Sequence, residues 1–353
     1  MTNILFVAHD PGGANVLKPV IAYFAEQTNI TSYHLLLGPA AERINADGVN
    51  VRKISVPPIP TPDFPNEKSV LEEDIRRMFH ETRFDAVFTA TSFNSNLERL
   101  CIRIAKELGV PTLTILDFWS NYRQRFTYQE RFDAPSVLFV ADKRMQREAE
   151  AELPTTKVII SGNPHLLGIA ARYKEARQTL QGLPIQRIRF FCENIRHYYP
   201  HKAVNEFTVM PNVLKGLFDA GFKGELYIRP HPMESREPWQ DFIEREQQFS
   251  PSVRILLDTA SFDEVLRDAC IALGFTTMAL LETASVGIPT FSYQINVPDD
   301  YFNLPFEEYG IMRLREEHDL RRVLQSSTDI LSHSRQTSDE ALQVIHNTVN
   351  SFL

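Results

Sequence analysis

The sequence predicts an α/β protein of two doubly wound parallel-sheet, Rossmann-like domains facing a central cleft. Short apolar runs alternate with amphipathic stretches along the chain, and turn formers separate them. A length of 353 residues allows two domains, each with its own core.

The first run, Asn3 to Ala8, ends in the turn Asp10-Pro11-Gly12-Gly13, and helical spacing follows from about Asn15 to Gln27. Further strands are expected at Tyr33 to Leu37, Asp85 to Thr89, Thr112 to Leu116, Ser136 to Val140 and Lys157 to Ser161. Helical spacing and charge mark Val70 to His80, Asn96 to Leu108 and Lys143 to Leu153 between them. A second series begins near Arg187, with strands Arg189 to Cys192, Glu225 to Arg229, Arg254 to Leu257, Ile271 to Leu273 and Pro289 to Tyr293. The expected division is residues 1–164, a joint at 165–186 and residues 187–335, because Gln181-Gly182-Leu183-Pro184 breaks a helical stretch. Pro57 to Pro65 holds five of the 22 prolines and is expected to lie as an extended loop over the first domain. Ligands in open α/β sheets bind just outside the strand carboxyl ends, so the chemistry is expected between the two halves.

Charge narrows the partners. Lys plus Arg number 37 against 45 Asp plus Glu, and a net charge of -8 leaves no basic excess to hold nucleic acid or an anionic bilayer nonspecifically. Cys101, Cys192 and Cys270 are far apart and build neither a disulfide framework nor a metal knuckle, which fits a reducing cytoplasm. The apolar run at the amino terminus is too short for a signal peptide, and nothing approaches the roughly 18 apolar residues of a membrane span. A cytoplasmic protein is expected, with work on membrane-linked substrates peripheral at the inner face. No metal or cofactor is expected: Asp-x-Asp is absent, there is no Walker loop, and Pro200 spoils a helical pairing of His197 with His201.

Polar residues cluster directly after the apolar strands. The first group is His9, Asp10, Gly12, Gly13 and Asn15, where the glycines let the backbone approach a ligand and a helix amino terminus favours an anion. A plain βα turn accounts for the same residues. Thr89 to Asn94 is the second group, equally explained by helix capping. The third runs from Asp117 to Arg125 and includes Trp119 and Arg123, a set that suits a sugar face and an anionic group or, equally, a surface loop. In the second domain Glu193 and Arg196 follow one strand, and Arg229 and His231 follow another, held stiffly by Pro230 and Pro232. Thr276 and Thr277 end a strand and open the helix Met278 to Ser285, with donors aimed at phosphate. Glu282 lies about one and a half turns further on, at a distance suited to a ribose diol.

GNPHLLG at the close of the first half, RPHP, and GFTTMALLETASVGIPTFSY together resemble the nucleotide-sugar enzymes of the GT-B fold. That group includes polysaccharide glycosyltransferases with a His-Pro motif and the non-hydrolysing nucleotide-sugar 2-epimerases. The resemblance implies that His231 contacts donor phosphate, that Thr276 and Thr277 bind phosphate at the helix start, and that Glu282 holds the ribose. It also implies that a last helix, residues 336–353, crosses back to the first domain. Where the epimerases open with Gly-Thr-Arg-Pro-Glu this chain has His9-Asp10-Pro11-Gly12-Gly13, and Thr276-Thr277 replaces their double glycine. Asp117 falls where they place a catalytic acid, and Glu130 follows it.

The leading expectation is a metal-independent glycosyltransferase, moving a sugar from a nucleotide-sugar donor to a hydroxyl of a glycan or lipid-linked glycan in surface-polysaccharide assembly. Asp10 is the first choice of base, His9 the alternative and Asp117 the third, with Arg229, His231, Thr276 and Thr277 serving the leaving phosphate. The rivals are a nucleotide-sugar 2-epimerase or hydrolase, and a noncatalytic sugar-nucleotide-binding scaffold.

Overall fold

The computed structural model describes residues 1–44, 51–60, 69–178, 185–268, 271–298, 306–325 and 337–353. The chain divides into two compact units, one of Met1–Gly168 with Gln336–Leu353 and one of Ile169–Arg335. The stretch read as a joint is, up to Gln178, the helix Pro164–Gln178, and residues 179–184 lie outside the described residues. Asn163 starts that helix: its Oδ1 accepts from the N–H groups of His165 and Leu166 at 3.1 and 3.2 Å.

The first unit contains β1 (Thr2–Ala8), β2 (Ile30–Leu36), β3 (Val51–Lys53), β4 (Ala86–Thr89), β5 (Thr112–Ile115), β6 (Thr127–Tyr128), β7 (Arg131–Phe132), β8 (Val137–Val140) and β9 (Lys157–Ile160). Seven of these form a parallel sheet in the order β3-β2-β1-β4-β5-β8-β9, and β6 pairs antiparallel with β7. Alternation along β1 shows why the run is apolar throughout. Ile4, Phe6 and Ala8 join a core with the helices Pro11–Ala25 and Ser338–Asn350, whereas Leu5 and Val7 join the opposite core with Glu72–Glu81 and Leu97–Glu107. The helix Ser338–Asn350 is started by a capping box between Thr337 and Glu340 and buries Leu342, Ile345 and Val349 in the first of these cores.

Several boundaries differ from the sequence reading. The first helix begins at Pro11, four residues before Asn15, because proline at the first helical position gives up no hydrogen bond. β2 begins at Ile30, where Thr31 and Ser32 pair with β1 and hide the apolar signal. The β6–β7 hairpin was not anticipated. Its turn residues Gln129 and Glu130 have φ of 49° and 61°, a left-handed pair that Asn and Gly usually signal. Of the proline-rich segment, Ile59 bridges to Ser69, and residues 61–68 lie outside the described residues.

The second unit carries β10 (Arg187–Phe191), β11 (Gly224–Arg229), β12 (Val253–Leu257), β13 (Ile271–Gly274), β14 (Thr290–Tyr293) and β15 (Met312–Leu314), parallel in the order β12-β11-β10-β13-β14-β15. Ile188 and Phe190 share a core with Val213 and Leu217 of the helix Glu206–Asp219 and with Trp239 of the helix Glu237–Gln247. Between them in sequence, Arg189 is buried and reaches Asp258 and Asp268 at 2.7 Å each, which keeps the buried cation paired. In both units the strand order reverses beside the first strand, between β1 and β4 and between β10 and β13. Such switch points are where open sheets take ligands.

Candidate functional site

At the first switch point Asp10 spans the gap between β1 and the loop after β4. Its Oδ2 accepts from the N–H of Phe93 at 2.9 Å, the N–H of Asn94 at 3.3 Å and Asn94 Nδ2 at 3.0 Å, while Oδ1 lies 2.8 Å from His9 Nδ1. Burial pushes its pKa up, but these bonds and His9 outweigh it and hold the carboxyl below the usual range. The His9 ring is 3% exposed, and a methyl at Gly38 would come within 2.7 Å of its Nε2. Beneath it, buried Glu98 accepts from the His9 N–H at 2.8 Å and from Ser92 Oγ at 2.6 Å, and burial raises its pKa. Asp10 and His9, the first choices of base, are thus tied into a loop-fixing network.

Asp117 is placed differently. Its Oδ1 accepts from Arg125 Nη1 at 2.9 Å and Thr91 Oγ1 at 3.2 Å, and Arg125 is anchored by Thr91 Oγ1 at 2.7 Å and by the Ser120 carbonyl at 2.9 Å. Its Oδ2 faces the helix start at Gly12, where any Cβ would overlap it. Gly13 is needed for a second close approach, since a Cβ there would stand 2.7 Å from Ala90 Cβ and 2.8 Å from the Thr91 carbonyl. The exposed Phe93 ring lies 4.8 Å from the Arg125 guanidinium. The result is a carboxylate with one oxygen fixed by a cation and the other directed at a glycine-lined turn.

At the second switch point Glu193 makes the corresponding span, from β10 to the loop after β13. Its Oε1 accepts from the Thr276 N–H and its Oε2 from Thr276 Oγ1 at 2.6 Å. Desolvation outweighs those bonds, and with Glu206 nearby the pKa rises to about 7. Thr277 caps the helix Met278–Ser285 by accepting from the Ala279 N–H at 3.3 Å, and Glu282 is buried in the same helix. Arg229 turns to Asp258 at 3.2 Å and the Ala260 carbonyl at 2.9 Å. His231 Nδ1 accepts from the Met233 N–H at 3.2 Å, and burial together with His197 lowers its pKa.

The remaining predicted residues have structural partners. Trp119 is buried with Nε1 2.6 Å from Asp142, Arg123 lies 4.3 Å from the Phe132 ring, Asn15 accepts from Arg43, and Arg196 sits 4.0 Å over Phe207. Glu130 is exposed in the hairpin turn. Sequence reasoning missed the roles of Glu98, Thr91, Arg125 and Glu206. Glu98, Thr91 and Glu206 lay in stretches read as a helix or cap, Arg125 lay in the strand-end group read for its charge, and in each case the polar partner is distant in sequence or hidden in the backbone. Among the described residues no group of three or more His, Cys, Asp or Glu is placed to hold a metal ion, and no helix is long and apolar enough to cross a membrane.

Comparison of the sequence with protein-family models and with curated proteins gives no match. The fold does match solved structures. UDP-GlcNAc 2-epimerase from Methanocaldococcus jannaschii gives a TM-score of 0.67 at 11% identity, covering 99% of this chain and 100% of that one. The 2-epimerase from Neisseria meningitidis, bound to UDP-GlcNAc, gives 0.65 at 14% identity with the same coverage, 99% and 100%. HepE from Anabaena, in complex with UDP and glucose, gives 0.58 at 13% identity, again covering 99% and 100%. The fold is of the GT-B type, as the motif resemblance implied.

Proposed function

We propose that the chain is a metal-independent enzyme acting on a nucleotide sugar, with Asp117 as its proton-transfer group. Asp117 carries the reading: it is the strand-end carboxylate of the first unit whose second oxygen faces a glycine turn, while Asp10 is saturated by N–H donors. Thr276, Thr277, His231 and Glu282 are the proposed contacts for diphosphate and ribose. Of the two reactions this supports, epimerisation next to the anomeric carbon comes first, because the fold is shared with UDP-GlcNAc 2-epimerases.

Transfer to a hydroxyl acceptor is the second reading, and one observation favours it. Inverting a carbon by proton removal and return requires groups on both faces of the sugar, whereas transfer requires one base. Glu130, the second acid implied by the resemblance, sits exposed in the β6–β7 turn. Incubating UDP-GlcNAc alone in deuterated water and following it by NMR separates the two. Epimer signals with deuterium at C2 establish the first reading. Unchanged donor that is consumed on adding a glycan acceptor establishes the second. Nucleotide binding without turnover under either condition contradicts both and leaves a binding scaffold.

A further inference from the structure

In the second unit the donors suited to a phosphate already hold a carboxylate. The Thr276 N–H and hydroxyl, at the start of the helix Met278–Ser285, are both engaged by Glu193. Glu193 cannot withdraw by a simple loop shift. Its own N–H and that of Ile195 are bound to Glu206 Oε1 at 2.7 and 3.2 Å, and Glu206 is buried in the helix Glu206–Asp219. With the backbone held, the ionised side chain stays beside the site, and a phosphate taking the Thr276 donors would meet a like charge, which disfavours the doubly charged arrangement.

We propose that Glu193 plugs this anion site and that a nucleotide-sugar diphosphate enters when Glu193 takes up a proton, an inference that rests on the nucleotide-sugar reading above. Protonated, the side chain carries no like charge, turns off the Thr276 donors while its backbone stays bound to Glu206, and offers its O–H to a phosphate oxygen. One proton from solvent is bound per diphosphate, and no covalent bond changes. Glu206 on the facing helix acts on Glu193, and Glu193 in turn acts on Tyr199, from the turn before that helix, and on Cys192, its neighbour in the chain just after β10. Glu206 opposes ionisation, in keeping with a carboxyl raised to about 7.

Isothermal titration with UDP-GlcNAc, GDP-mannose and dTDP-glucose between pH 6 and 8.5 tests the plug, because their diester diphosphates do not titrate in that range. Wild-type affinity is expected to weaken about tenfold per pH unit above about 7, with proton uptake visible as a buffer-dependent heat. Glu193→Gln is expected to bind independently of pH and about thirtyfold tighter than wild type at pH 8.5. Binding of wild type with equal affinity at pH 6 and 8.5, without proton uptake, overturns the plug and leaves the nucleotide-sugar reading standing. Failure of all three probes with both folded proteins at every pH overturns that reading and the plug with it.

Discussion

Asp10 and Glu193 do the same job in the two units and end in opposite electrostatic states. Each follows the first strand of its sheet and spans the switch point to the loop after the neighbouring strand. Asp10 receives donors from Phe93, Asn94 and His9, and its pKa is lowered. Glu193 relies on Thr276 and Thr277 against desolvation and the charge of Glu206, and its pKa is raised to about 7. The number of donors and the sign of the nearest neighbour decide whether such a bridge is a permanent brace or a group poised to change charge.

The comparison breaks first on turnover. Asp117→Asn is expected to lower turnover on the cognate nucleotide sugar by on the order of 10²–10⁴-fold, the range for loss of a positioned acid–base group. Asp10→Asn should retain turnover within about tenfold. Steady-state kinetics of the two folded variants decides this, and the reverse order would return Asp10 to the role of base.

Stability against pH sharpens it next. Glu193 has a raised folded pKa, so the unfolded chain releases its proton first and stability falls as pH rises from about 4.5 to about 7. Buried His34, whose ring nitrogens have no hydrogen-bond partner, has its pKa lowered from 6.5 to about 4 by burial and by Lys53. Its unfolded form takes up the proton first, so stability falls as pH drops from about 6.5 to about 4. Each slope amounts to about 3 kcal/mol and the two oppose one another. Relative to wild type, urea unfolding of Glu193→Gln should therefore show stability tilted toward rising with pH across this window, and His34→Leu should show it tilted toward falling. The smallest effect is that of Asp10→Asn, a loss of about 2 kcal/mol. Because the Asp10 carboxyl lies below 3.8, that loss should be constant from pH 5 to 8 and fade only in stronger acid.

Much of this framework was legible in the residues. Apolar runs located the main strands because parallel strands are buried on both faces, as Leu5 and Phe6 show by entering opposite cores. β3 and β15, three residues each, are too short for periodicity to register. At the site, position was readable and state was not. His9, Asp10, Asp117, Glu193 and Thr276 all follow strands, as expected. That Asp10 is saturated depends on the N–H groups of Phe93 and Asn94, some eighty residues away, and no side-chain pattern encodes them. Arg125 was noted for its charge, but its hold on Asp117 depends on the short helix Tyr122–Arg125 and on Thr91 from the loop after β4.

The contrast between the two bridging carboxylates is open to direct observation by carboxyl-carbon NMR. Protein labelled at Asp and Glu side-chain carboxyls, with the two signals assigned through Asp10→Asn and Glu193→Gln, can be titrated from pH 3 to 9. The account predicts a Glu193 midpoint near 7 and an Asp10 signal that stays ionised until below 3.8. Both carboxyls titrating together near the ordinary range of about 4 would contradict it.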